Sequence, residues 1–387
     1  MCESIWLGSR QMGVRNSTRV QTCRRRLATM TARILGLVIW MSSGIATAQP
    51  GRPVLIATIK TERSSPPIRF SPDGKTLTIA TGMLVGAGAP SPIGKVPDTL
   101  APGGLTLWDV TTKKVRAQLE NVGVDCTGIA FSPDGKYLAM LDRAGISLFE
   151  PASRKYRVFV PIADLDSSPV PEFAIAFSPN GSLLATGHSS GNVKIWDVTT
   201  GKLTATMRVK GMASDLVFFP DGKTLAAAAE AVYLWDLEGG EKPRSWAEHR
   251  FGAATLAISP DGKTLATPGD SKEVWLWDVQ RGSIRQRLGV DYKMVEAVAY
   301  SRDGRILIAA GGSGNLPGLT LNPGIVTLWD TKTDKMLHSF RALDVTVRKV
   351  ALSPDGKLLA VSPLDHLLKV NVWDISQLLP KESPTKK

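Results

Sequence analysis

The sequence predicts an all-β chain built from one repeated module of four antiparallel strands. Two recurring signals and their interval carry that prediction. Trp-Asp closes an apolar run six times, at Trp108-Asp109, Trp196-Asp197, Trp235-Asp236, Trp277-Asp278, Trp329-Asp330 and Trp373-Asp374. Ser-Pro-Asp-Gly or a close variant occurs seven times, beginning at Ser71, Ser132, Ser178, Phe219, Ser259, Ser301 and Ser353. Most copies lie about forty residues apart, the length of one four-stranded sheet in a ring of such sheets. Seven of these wedges around one axis form a seven-bladed β-propeller.

Each element of the module has a local cause. The first strand is short and apolar, as in Ile129-Ala130-Phe131. In the turn after it, Pro presets φ, Asp bonds backbone amides and Gly takes the positive φ that closes a hairpin. The second strand follows at once, as in Tyr137-Leu138-Ala139-Met140. The third ends in Trp-Asp, as in Val193-Lys194-Ile195-Trp196-Asp197, and Thr199-Thr200-Gly201-Lys202 turns it into the fourth, Leu203 to Met207. A sheet apolar on both faces cannot cover itself, so neighbours must stack on it. Blade 2 carries Leu148-Phe149-Glu150 where Trp-Asp is expected. Phe still fills an apolar slot, so this reads as a decayed copy, not a missing blade.

These repeats resemble the WD40 family over about residues 52 to 379. Tol-B-like and lactonase-like propellers share the Ser-Pro-Asp-Gly turns but generally lack the Trp-Asp strand end. The resemblance implies that Val54 to Ile59, a strand with no module of its own, pairs into the last blade beside the C-terminal strands and leaves no free edge at the seam. It implies a non-catalytic scaffold that binds a protein or peptide, as a ring without stable partners of its own kind. It also implies a buried network of a loop His, a strand Ser or Thr, a turn Asp and the Trp. Only blade 5 offers all four types, as His249, Thr267, Asp270 and Trp277, with Asp270 one position from the usual offset. Its role is structural.

Residues 1–48 are expected to be a signal peptide, 49–379 the propeller and 380–387 a disordered polar tail. Arg24, Arg25, Arg26 and Arg33 precede an apolar stretch from Ile34 to Ala46, and Ala46-Thr47-Ala48 supplies small residues for cleavage before Gln49. The stretch is short for a membrane span, so none is expected after cleavage. An uncleaved anchor and an organelle transit peptide are the alternatives. Met30 is a second possible start. The expected location is therefore periplasmic or secreted, in a bacterial cell envelope. The leader takes away seven Arg and one Glu, a net +6, and leaves +6 of the +12 on the whole chain. That excess is modest and does not call for nucleic acid. Cys2 and Cys23 leave too, so Cys126 has no disulfide partner and reads as a small buried hydrophobe.

Chemistry-bearing constellations are scarce. His188, His249, His338 and His366 fall in different blades, and no paired Cys motif exists. No metal site and no cofactor are expected. The Asp-Gly-Lys copies lack the further oxygen ligands of a calcium loop. No local Ser-His or Cys-His pair supplies a nucleophile. A lactonase-like or hydrolytic enzyme with a channel site stays open as an alternative, since a channel assembles residues from distant blades.

Two modules break the period by insertion between their second and third strands, from about Gly82 to Gly103 and from about Gly311 to Gly324. Long loops on a rigid scaffold are often functional. The expected partner site is bordered by Lys95, Asp98, Asn315, Leu316, Asn322, Asp365 and His366, on one face beside the short connection of blade 7. The alternative is that these Gly/Pro-rich insertions are spacers. The loop from Pro161 to Glu172 joins the same face and is expected to be a solvated connector. On the opposite face, Lys75, Lys136, Lys223, Lys263, Arg305 and Lys357 recur in the first turns, with Lys113, Lys155, Lys202, Lys242 and Lys335 in the last. These suggest binding of an anionic glycan or lipid, but Asp residues in the same turns largely cancel the field within a Debye length.

Overall fold

The computed structural model describes residues 51–61, 67–81, 104–120, 126–142, 144–161, 165, 174–239, 242–248, 253–312, 323–364 and 369–380. The chain divides into two units, Met1–Pro50 and Gly51–Lys387, and every described residue belongs to the second. The leader and the tail 381–387 lie outside the described residues.

Among the described residues, twenty-eight strands make seven sheets of four. Blade 1 holds β2 (Ile68–Phe70), β3 (Thr76–Thr81), β4 (Gly104–Asp109) and β5 (Lys114–Glu120). Blade 2 holds β6 (Gly128–Phe131), β7 (Leu138–Asp142), β8 (Gly145–Glu150) and β9 (Lys155–Pro161). Blade 3 holds β10 (Ala174–Phe177), β11 (Leu183–Gly187), β12 (Asn192–Asp197) and β13 (Leu203–Arg208). Blade 4 holds β14 (Asp215–Phe218), β15 (Thr224–Ala228), β16 (Ala231–Asp236) and β17 (Arg244–Glu248). Blade 5 holds β18 (Ala257–Ile258), β19 (Thr264–Pro268), β20 (Glu273–Asp278) and β21 (Ser283–Gly289). Blade 6 holds β22 (Met294–Tyr300), β23 (Ile306–Gly312), β24 (Gly324–Asp330) and β25 (Lys335–Leu343). Blade 7 combines β26 (Val347–Leu352), β27 (Leu358–Pro363) and β28 (Lys369–Asp374) with β1 (Val54–Lys60). Every neighbouring pair is antiparallel, and β1 pairs with β28 from Val54↔Asp374 to Lys60↔Lys369. No α-helix occurs among the described residues, so no helix there is long and apolar enough to cross a membrane.

The core is not central. It is divided into one apolar cluster per blade junction. Leu105, Cys126, Leu138 and Phe149 pack blade 1 on blade 2. Ile146, Val160, Leu184 and Trp196 pack blade 2 on blade 3. The remaining junctions repeat the plan, and Ile59, Ile68, Leu77, Trp108 and Val370 close blade 7 on blade 1. A buried large aliphatic or aromatic side chain contributes roughly 1.5–3 kcal/mol, so the six or more at each junction outweigh any single polar contact. Phe149 is fully buried at the Trp position of blade 2, as the decayed copy requires. Leu165, in the connection expected to be solvated, is buried in the blade 2–blade 3 cluster.

The Ser-Pro-Asp-Gly turns do more than reverse the chain. The glycines adopt φ near +70°, and each stands against the proline of the neighbouring turn. A Cβ on Gly135 would lie 3.6 Å from Pro72, one on Gly181 3.4 Å from Pro133, and one on Gly74 3.4 Å from Pro354. The last contact joins blade 7 to blade 1. The series breaks at Arg302, which replaces proline, and Gly356 faces the Ser301 Cβ instead.

Candidate functional site

Antiparallel order places the start of each inner strand, the end of the second and the start of the third on one edge of the ring. The sheet ends that flank the insertions, Thr81 and Gly104 in blade 1 and Gly312 and Gly324 in blade 6, therefore share that edge with Ile68, Asp215 and Val347. Lys95, Asp98, Asn315, Leu316, Asn322, Asp365 and His366 all lie outside the described residues.

The innermost strands line a central channel. Among the described residues they carry five charged side chains, Arg69, Asp215, Glu296, Arg348 and Lys349, drawn from four blades. Sequence reading missed them because they do not recur from blade to blade and the repeat offers no signal there. Two of the five are carboxylates that act as staples. Asp215 Oδ2 accepts from Thr255 Oγ1 at 2.8 Å and from the Leu256 amide at 3.0 Å, tying blade 4 to blade 5. Its Oδ1 accepts from the Leu216 amide at 3.0 Å. Glu296 is buried and takes an Arg348 guanidinium N–H at 3.1 Å, tying blade 6 to blade 7.

Arg69, Asp215 and Lys349 line one cavity near the channel mouth, together with Pro67, Thr127, Gly128 and the first residues of β10. Its free space is about 20 Å³, room for an atom or two the size of a water oxygen. Desolvation lowers the pKa of both Arg69 and Lys349, and Asp215 opposes the shift in each. For Arg69 this sits beside an exposed side-chain surface. Both hold together: protein surrounds the channel, yet Arg69 keeps accessible surface inside it.

Within the blade 5 network, Trp277 Nε1 donates to Thr267 Oγ1 at 2.9 Å. Asp270 lies exposed, two residues past the end of β19, and His249 is outside the described residues. Blade 3 builds a network the sequence reading did not assign. Trp196 Nε1 donates to Thr186 Oγ1 at 3.0 Å, and Thr186 shares a 3.0 Å hydrogen bond with Nε2 of the buried His188. The signal was a Thr two residues past the cross-strand partner of the Trp, shared by blades 3 and 5. Blades 4 and 7 have Ala227 and Val361 there, and the buried indole N–H groups of Trp235 and Trp373 have no partner.

No catalytic grouping stands out among the described residues. Among the described residues no set of three His, Cys, Asp or Glu side chains is placed to hold a metal. Cys126 is buried with its thiol on the Gly128 carbonyl at 3.3 Å, and burial, then Asp142, pushes its pKa up. In blade 2, Tyr156 donates to Asp142 at 3.1 Å and shares a 2.9 Å hydrogen bond with Ser147, but Ser147 is fully buried. A larger cavity of about 410 Å³ opens between blades 5 and 6, floored by Leu276, Leu307 and Trp329. Its Arg285 and Asp334 are already joined by two hydrogen bonds of 2.8 and 3.1 Å. On the turn face, Lys223 pairs with Glu238 at 2.8 Å, Arg305 with Asp303 at 2.6 Å and Lys357 with Asp355 at 3.9 Å. That face is of mixed sign, not a cationic ring.

Comparison with known proteins agrees with this geometry. The family model "WD domain, G-beta repeat" matches residues 162–197 and 240–278, which end with the Trp-Asp strands of blades 3 and 5. Periodic tryptophan protein 2 of Arabidopsis thaliana is 28% identical over 208 residues, 52% of this chain and 21% of that protein. WD repeat and SOCS box-containing protein 1 of Mus musculus is 34% identical over 111 residues, 27% of this chain and 26% of that one. WD repeat-containing protein SL1-17 of Schistosoma mansoni is 28% identical over 199 residues, 49% of this chain and 62% of that one. The match thus spans only about a fifth to a quarter of the first two relatives. With two repeats matched by the WD domain model, WD-repeat proteins among its relatives and seven four-stranded blades, the chain is a seven-bladed β-propeller similar to WD-repeat proteins.

Proposed function

We propose that this propeller is a non-catalytic, extracytoplasmic scaffold that holds a protein or peptide on the face bearing the two insertions. One observation carries the reading. The channel mouth on that edge gathers charged side chains from several blades, and the cavity that Arg69, Asp215 and Lys349 line there has a free space of only about 20 Å³. The paired charges of the turn face support the same choice, because they leave little net field for an anionic polymer. WD-repeat relatives support a binding role in general. The leader supports export: cleavage before Gln49 delivers the ring across a membrane, and N-terminal sequencing of the exported protein checks it, with retained Arg24 to Arg33 as the refuting result.

The binding reading is tested with a photo-crosslinking amino acid at Lys95 or Asn315, and at Lys263 on the turn face as control. Crosslinks in the native host are expected from the first two positions alone. Deleting Val85 to Thr99 is expected to leave the melting transition intact and abolish the adduct. An unchanged adduct, or equal adducts from Lys263, overturns the assignment.

A further inference from the structure

We propose that Arg69 and Lys349 form an anion site at the channel mouth, and that it takes the carboxylate of an aspartate or glutamate side chain from a bound peptide. This rests on the scaffold reading for the source of the ligand, but the site itself is argued from its own geometry.

The channel's carboxylates are committed elsewhere. Asp215 fills its oxygens with three neutral donors, and Glu296 is paired with Arg348. Two cations remain. Arg69 donates to the Ile68 carbonyl at 3.1 Å, which uses one of five guanidinium N–H groups. Lys349 makes no hydrogen bond or ion pair among the described residues, so all three of its N–H groups are open. Both side chains line the same cavity. They come from β2 and β26, the inner strands of blades 1 and 7, which adjoin at the ring seam.

One carboxylate, Asp215, faces the two cations in this cavity and leaves one positive charge over. Desolvation lowers the pKa of Lys349, Asp215 opposes the shift, and the neighbouring Arg348 and Arg69 add to the lowering, so its charged form is held at a cost. A counter-anion between Lys349 and Arg69 relieves desolvation and repulsion together. Clusters perturbed in this way mark functional sites. Size then selects the anion. About 20 Å³ admits the two oxygens of a carboxylate reaching in from the open mouth, but not a nucleotide or a sugar ring. Arg supplies a planar fork for such an anion and Lys a point charge.

The test uses the full chain with its lysines ¹³C-dimethylated. Lys349 is assigned by comparison with Lys349→Met, whose fold is checked by its melting transition. The probes are the blocked tripeptide Gly-Asp-Gly, its Gly-Asn-Gly counterpart, and sodium acetate. The Asp peptide is expected to shift the Lys349 resonance and raise its titration midpoint. The Asn peptide is expected to do neither. Affinity for the Asp peptide should fall about tenfold in Arg69→Gln, the loss of one charge-assisted contact. Equal shifts from both peptides, or unchanged affinity in Arg69→Gln and Lys349→Met, overturn the site. A response to acetate without one to the Asp peptide reduces it to a small-anion site and overturns the peptide assignment. Failure here is separable from failure of the scaffold reading. Crosslinks at Lys95 that survive Lys349→Met leave the scaffold standing while the anion site falls. Asp-peptide binding without any crosslink does the reverse.

Discussion

Ser132 offers the sharpest check on the reasoning about the turns. Its hydroxyl donates to Asp134 Oδ1 at 2.5 Å and accepts the Tyr137 amide at 2.9 Å. The same pair of bonds recurs at Ser71, Ser178, Ser259 and Ser353. Ser132→Ala removes both. Blade 4 shows how a turn manages without the hydroxyl: Phe219 stands at that position, and Asp221 accepts the Thr224 amide directly at 2.9 Å. Asp134 can make the same move, so one of two lost bonds is recovered. A hydrogen bond to a charged group contributes about 1.5–3 kcal/mol, but this one lies near the surface and is screened. The expected net loss is about 1 kcal/mol.

The pH dependence sharpens the test. The Ser132 hydroxyl, then the Lys136 amide, holds the Asp134 carboxyl below the ordinary carboxylate range. A depressed folded pKa contributes stability that is present above the unfolded value, about 3.9, and is lost as pH falls through the folded value. The difference between wild type and Ser132→Ala should therefore be largest near neutral pH and shrink as pH falls below the unfolded value of about 3.9. Urea unfolding at several pH values measures it, and carboxyl-carbon titration by NMR should show Asp134 rising toward its ordinary pKa. A stability change below about 0.3 kcal/mol with unaltered titration of Asp134 would refute the role assigned to the hydroxyl.

Other substitutions test the junctions and the core. Arg302→Pro should complete the proline–glycine ring and stabilise by about 0.4–1 kcal/mol, since the Arg302 amide has no hydrogen-bond partner among the described residues; a lower melting temperature in calorimetry would contradict that. Ala227→Ser should give the orphaned Trp235 indole an acceptor, as Thr186 and Thr267 do for their tryptophans, and raise stability by about 1 kcal/mol. Loss of stability in urea unfolding would mean that the indole cannot reach it. Cys126, with its thiol pushed up by burial, should react with a thiol-specific chromogenic disulfide at pH 8 only after unfolding, and prompt labelling of the native protein would count against that environment. Arg348→Met should strand the buried Glu296 and cost about 2 kcal/mol, less than a fully buried pair because Arg348 is half exposed; denaturation of the single and double variants with Glu296→Gln measures the coupling.

The repeat was legible because its causes are local. A Pro-Asp-Gly turn, a β-branched run and a Trp at the strand end each act within about ten residues, and seven copies of the same code reinforce one another. From them alone came the blade count, the strand order within a blade, the Phe149 substitution and the burial of the tryptophans. The blade 3 network was missed because only blade 5 was read as offering the loop His, whereas His188 stands directly after the second strand of blade 3.

The channel was not legible, and the reason is geometric. Arg69 and Lys349 stand 280 positions apart in the chain, yet they share one cavity because blades 1 and 7 adjoin. Nothing in either local segment marks these residues, since an inner strand of two to seven residues has no periodicity to expose an inward charge. Which carboxylates serve as staples, and which cations are left over, follows only once the blades meet around the axis. The sequence by itself determined the wedge and its repetition, because hairpin chemistry is short-range. Only the tertiary structure decided what the wedges point at their common centre, because that pairing depends on ring closure.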